Sequence, residues 1–189
     1  MSTDPTAYAW WLSSRAAGLA ALVLATVAVT AGLMLGGRLS RRPGMAGALR
    51  AVHEHAALAA LVAIAVHALT LLGDPWLRPG PAGIAVPFVM DYRPLWSGLG
   101  IIAALLAAVL GLSFYLRDRI GPRRWRTAHR ATIVVWLLSV VHALGAGTDA
   151  QRLWLRLGVA CLAAPVAGLF AARLMPGPRR RPAAAPTSS

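Results

Sequence analysis

Five histidines lie in two apolar stretches, 50–74 and 126–149, of a chain of 189 residues. In the first, "RAVHEHAALAALVAIAVHALTLLGD", His53 follows Arg50 by three residues, His67 follows His53 by fourteen, and Asp74 follows His67 by seven. In the second, His129 follows Arg126 by three, His142 follows His129 by thirteen, and Asp149 follows His142 by seven. An imidazole in apolar surroundings must find a partner for its ring nitrogens or cost stability. If both stretches are helices, the histidine intervals correspond to rises of roughly 21 and 19.5 Å. Two such helices running in parallel present a pair of imidazoles at each of two depths. Neutral ring nitrogens facing one another across a gap are what a haem iron needs for two axial ligands. The expected pairs are His53 with His129 and His67 with His142, and two haems stacked in this way would make an electron path.

The azimuths are less regular than the depths. Fourteen residues of ideal helix leave about −40° of rotation, so His53 and His67 share a face; thirteen leave about 220°, so His129 and His142 do not. Either the second stretch bends or unwinds, or its rings approach from different directions. His55 lies about 160° from His53 on an ideal helix and reads as an interfacial residue, though it competes with His53 for the same depth. Arg50, Arg126 and Arg130 flank the first pair, where an anionic cofactor group such as a haem propionate would seek positive charge; ordinary loop charge explains them nearly as well. Tyr92 and Arg93 could serve the second pair. No methionine is spaced for axial ligation, and no glycine stretch matches a phosphate-cradling pattern.

The elements that position these residues are legible from hydropathy. The chain is 58% hydrophobic and 13% charged, too apolar for a soluble domain of this size. Charge-free runs at 16–36, 56–73, 94–116, 131–148 and 157–172 approach the roughly 20 residues that cross a bilayer, with flanking Arg side chains able to snorkel. The fold class expected is an all-α membrane protein, a bundle of five transmembrane helices over about 10–36, 47–72, 94–116, 125–145 and 151–174. Residues 73–93 contain too many Gly and Pro residues for one regular helix; their "AGIAVPFVM" portion is apolar enough to lie against the membrane surface. Residues 1–9 form an N-terminal segment, 10–174 the single membrane domain, and 175–189 ("MPGPRRRPAAAPTSS") a disordered tail rich in Pro, Arg and Ala.

The net charge of +13 raises the question of nucleic acid, but its distribution answers it. All 19 basic residues are Arg, and 14 of them fall in 37–50, 117–130 and 173–189, against five at 15, 78, 93, 152 and 156. This is the positive-inside pattern. It places the N-terminus outside and the C-terminus in the cytoplasm of a cell membrane, and it excludes nucleic acid as the reason for the charge. The single cysteine, Cys161, rules out a disulfide framework. Tyr8, Trp10 and Trp11 read as an interfacial aromatic belt, and no cleavable signal peptide is expected ahead of them.

Histidine pairs with thirteen and twelve intervening residues, on two helices separated by one other, resemble the ferric reductase-like transmembrane domain, the family of ferric reductases, NADPH oxidases and the haem subunit of periplasmic methionine sulfoxide reductase. The similarity covers about 10–174. Within it "HEHAALAALVAIAVHALTLL", "YRPLW" and "RRWRTAHRATIVVWLLSVVHALGAGTD" look like bacterial, actinobacterial members. The resemblance implies two six-coordinate b-type haems, one between His53 and His129 and one between His67 and His142, with electrons passing outward from the cytoplasmic one. Family oxidases add an N-terminal helix and a C-terminal flavin and NADPH domain. With fifteen tail residues after the fifth helix, the expectation here is a separate flavoprotein or a membrane quinol as electron donor and an extracytoplasmic acceptor. The chain would then be the membrane haem component of an oxidoreductase, with any flavin on the partner.

The rival reading is a non-redox transporter or metal permease whose histidines line a polar path. Beyond the histidines, the two helices offer such a path only Thr70, Thr127, Thr132 and Ser139.

Overall fold

A computed structural model describes residues 5–37 and 42–174. The described chain is helical, with no strand among the described residues. Its elements are α1 (Pro5–Leu35), α2 (Met45–Leu71), a short α3 (Gly80–Ala85), α4 (Pro94–Leu112), a 3₁₀ turn at Ser113–Leu116, α5 (Arg117–Ile120), α6 (Pro122–His129), α7 (Thr132–Ala146) and α8 (Leu153–Leu174). Five stretches are long and apolar enough to cross a membrane: Tyr8–Leu35, Met45–Leu71, Pro94–Ile120, Pro122–Ala146 and Leu153–Arg173. The protein is a five-span, all-α, multi-pass membrane protein. The expected tail at 175–189 lies outside the described residues. At the other end α1 begins at Pro5, so most of the expected N-terminal segment is already helical.

Local chemistry sets the breaks. Gly121, at φ 94°, ends α5, and Pro122 then opens α6 at the position where a missing N–H costs nothing. Pro94 opens α4 in the same way. Between α2 and α4, Asp74 is 2% exposed and its Oδ1 accepts the backbone N–H groups of Trp76 and Leu77 at 2.8 and 3.0 Å, fixing the turn out of α2. The apolar 82–90 segment is divided: Val86, Phe88 and Val89 are exposed, while Met90 is buried.

The helix pairs α1–α2 and α4–α7 pack along their lengths, and α8 lies on α1. The core is small: Leu22 of α1 with Leu155 and Val159 of α8, backed by Leu19, Val140 and Ala143. Long apolar side chains such as Val62, Val109 and Leu153 remain 64–69% exposed, as expected of surfaces facing lipid. At mid-depth the indole Nε1 of Trp136 on α7 donates to Thr26 Oγ1 on α1 at 2.9 Å, both residues being buried.

One difference from the expected helices bears on the histidines. The expected fourth helix is two, α6 and α7, separated by a turn at Arg130–Ala131. Ala131 N–H bonds the Ala128 carbonyl at 2.9 Å and Val134 N–H the Ala131 carbonyl at 2.9 Å, both three-residue closures. Such turns advance about 20° more per residue than an α-helix, and so rotate His129 toward the azimuth of His142. The stretch is overwound at this turn; that is how both rings come to face α2.

Candidate functional site: two facing histidine pairs

The rings of His53 and His129 lie 5.9 Å apart, centre to centre, with planes at 84°. Those of His67 and His142 lie 6.3 Å apart at 71°. The first pair stands at the Arg-rich end of the bundle, the second at the end where Asp74 and Asp149 follow; we call them the Arg-end and Asp-end pairs. His55 joins neither. It is exposed, and its Nδ1 bonds the Ala51 carbonyl of its own helix at 2.7 Å.

Three of the four facing rings are tied by Nδ1 to a carbonyl of a neighbouring helix: His53 to Ala28 O at 2.7 Å, His67 to Ser14 O at 2.8 Å, and His142 to Trp96 O at 2.9 Å. A carbonyl only accepts, so each Nδ1 must carry the proton. In the neutral ring Nε2 is then left with a bare lone pair, the condition for metal ligation. Ser14 Oγ lies 3.0 Å from His67 Nδ1 as well. His129 is held otherwise. The Leu110 carbonyl is near enough to interact with it, but Nδ1 completes no hydrogen bond of normal geometry. Its ring instead stacks on Trp125 at 4.7 Å and 22°, and Trp125 is fixed in turn by Nε1–H to Ser113 Oγ at 3.1 Å.

Each site is a pair. Among the described residues no cluster of three or more His, Cys, Asp or Glu forms, and each pair by itself offers a metal two imidazole ligands. The Asp-end pair opens on a cavity of 430 Å³ between α1, α2, α4 and α7, walled by Trp11, Leu22, Ile64 and Ile101 among others. That volume is of cofactor size, about 300–1,000 Å³.

The family profile described as ferric reductase-like transmembrane component matches residues 16–140, about two thirds of the chain. The chain belongs to the ferric reductase-like transmembrane family. The match takes in His53, His67 and His129 and stops two residues before His142. No curated protein and no solved structure matches significantly. Membership points in general terms to electron transfer across a membrane.

In this ferric reductase-like chain the flanking cations divide. Arg50, Arg126 and Arg130 are exposed at the Arg-rich end. Tyr92 lines the Asp-end cavity and donates its hydroxyl to Ala146 O at 3.2 Å. Arg93 faces away into a separate surface pocket, with Nη1 donating to Gly145 O at 2.6 Å. The cation that does line the cavity is Arg15, paired with Asp149 at 2.5 Å. Arg15 reads in the sequence as a charge-count residue, and only the fold brings it to the wall of the cavity on which the pair opens. Ser14, Ala28 and Trp96 act through backbone carbonyls, which no side-chain pattern reports. Trp125 carries a weak signal: it stands four residues before His129, on the same helical face.

Proposed function

We propose that the chain carries electrons across the cell membrane through two bis-histidine b-type haems, one on His53 and His129 near the cytoplasm, the other on His67 and His142 near the outer face. The observation that carries this reading is the ring spacing. Two metal–nitrogen bonds of about 2 Å plus about 1.1 Å from each nitrogen to its ring centre give roughly 6.2 Å, against 5.9 and 6.3 Å here. The pairwise arrangement would let His53 with His129, and His67 with His142, each hold a haem iron between two imidazoles, and the Nδ1–H bonds hold three rings in the ligating tautomer. Bound haem would supply one-electron redox chemistry without an open iron position.

The chain's own residues then do three things. The histidines set the two depths, about 20 Å apart along the helices. Ala28, Ser14 and Trp96 hold ring orientation through their carbonyls. Arg15, with Asp149 and Tyr92, sets the polarity of the outer cavity. Arg50, Arg126 and Arg130 face the cytoplasm at the Arg-rich end, where they would favour the anionic groups of a haem held by the inner pair; Arg93 stays at the outer rim. The Arg distribution supports this orientation, with the N-terminus outside. The electron donor is a separate flavoprotein or a membrane quinol, and the acceptor is extracytoplasmic.

The deciding experiment is an oxidised and dithionite-reduced optical spectrum of the purified protein in detergent, with haem quantified per chain. Low-spin b-type bands and two haems per chain are expected. A colourless protein, expressed with haem supplied, overturns the reading and favours a histidine-lined transporter.

A further inference from the structure

On α1, Gly18 and Gly32 are separated by the same fourteen residues as His67 and His53 on the antiparallel α2. A Cβ added at Gly18 would lie 3.0 Å from His67 Nδ1, and one at Gly32 would lie 3.2 Å from His53 Nδ1. On α4, a Cβ at Gly100 would collide with the His142 ring. Each glycine stands four residues after the carbonyl that its histidine bonds: Ser14 before Gly18, Ala28 before Gly32, Trp96 before Gly100. The reason lies in helix geometry. Cα–Cβ bonds tilt toward the helix N-terminus, so the side chain at i+4 covers the carbonyl of residue i. Glycine at i+4 uncovers it, and a carbonyl already in the helix ladder can then accept a second hydrogen bond.

The fourth position departs from the rule. The carbonyl near His129 is that of Leu110; four residues on stands Phe114, fourteen after Gly100, and the carbonyl already accepts Ser113 Oγ–H at 2.8 Å. Here the hydrogen bond is not completed. Phe114 packs edge-on against Trp125 at 5.8 Å, and Trp125 stacks on His129.

We infer that Gly18, Gly32 and Gly100 are positioning residues: each bares one helix carbonyl so that it can orient a ligand histidine, while at the fourth position the Leu110 carbonyl takes Ser113 Oγ–H as its second donor and His129 is oriented by stacking on Trp125. This rests on the haem reading above. It makes the two sites unequal, with two hydrogen-bonded ligands at the outer haem and one at the inner.

The test is Gly→Ala at each position in the haem-loaded protein, read by haem content, low-spin spectrum and midpoint potential. Alanine favours a helix more than glycine does, so a loss must come from the contact. Gly18→Ala and Gly100→Ala should raise the potential of the outer haem or lose that haem, because a ligand deprived of its N–H···O bond is a weaker donor. Gly32→Ala should act on the inner haem alone. Gly47→Ala and Gly158→Ala, whose added methyls meet nothing within 4 Å, should change neither. Wild-type spectra and potentials in all three cradle variants would overturn the inference, as would equal effects from the two controls. Nitrogen NMR of labelled histidine in haem-free protein reads the same bonds without haem. Nδ1-protonated, hydrogen-bonded signals are expected for His53, His67 and His142, with Gly18→Ala moving only that of His67. Their absence sinks the inference even if haem binds. Their presence in a protein that binds no haem keeps the cradles and removes the haem reading.

Discussion

Thr26 and Trp136 join α1 to α7 midway between the two histidine levels, through an indole N–H donating to a hydroxyl at 2.9 Å in a buried setting. Thr26 Oγ1–H donates to the Leu22 carbonyl at 2.7 Å, so it accepts from the indole at no cost to its donor. This bond ties the helix bearing His142 to the helix whose carbonyls orient His53 and His67. Trp136→Phe keeps most of the ring volume and removes the bond, so a loss of about 0.6–1.7 kcal/mol is expected; Trp136→Ala adds a cavity and should cost about 3–5 kcal/mol. Reversible unfolding from detergent into SDS measures both, and equal losses would show that the hydrogen bond dominates over packing.

Histidine replacements should group by pair and not by helix. His53→Ala and His129→Ala are expected to abolish the same haem, and His67→Ala and His142→Ala the other, in reduced spectra of purified protein. His55→Ala should retain both, since its ring is exposed and bonded to its own helix. Loss of a haem in His55→Ala with retention in His53→Ala would reverse the assignment of the inner ligand.

The Arg15–Asp149 pair gives a sign test. Both residues line the Asp-end cavity, and removing either leaves the other's charge unbalanced. A positive charge favours the reduced state, so Asp149→Asn should raise the midpoint potential of the outer haem and Arg15→Gln should lower it. The shift is on the order of 1 kcal/mol in each direction, reduced by partial solvent access. Arg93→Gln, in the separate pocket, should move it less. Redox titration checks all three; shifts of the same sign would show that the pair acts through packing.

Trp125 should matter to one site only. Replacing it with Leu removes the face on which His129 stacks, a contact of about 0.5–1.5 kcal/mol. The inner haem is expected to broaden or partly dissociate while the outer one keeps its spectrum. An unchanged inner spectrum would mean that metal ligation alone orients His129.

The sequence by itself determined the five spans, because a bilayer demands long apolar runs and tolerates few charges. Hydropathy and Arg distribution therefore mark 8–35, 45–71, 94–120, 122–146 and 153–173 within a few residues. It also determined which histidines can meet, because depth along a helix is a count of residues. Azimuth was another matter. An ideal helix puts His129 and His142 on different faces, and only the turn at Arg130–Ala131, a local closure with no strong breaker residue to announce it, brings the rings round. The tertiary structure alone decided the partners of those rings. A carbonyl bared by a glycine on another helix is a relation between i, i+4 and a distant residue, so Gly18, Gly32 and Gly100 read as ordinary small residues until α1 and α4 are laid against α2 and α7. Likewise Arg15, not Arg93, lines the Asp-end cavity, because that choice depends on how α1 is rotated against its neighbours, which hydropathy does not encode.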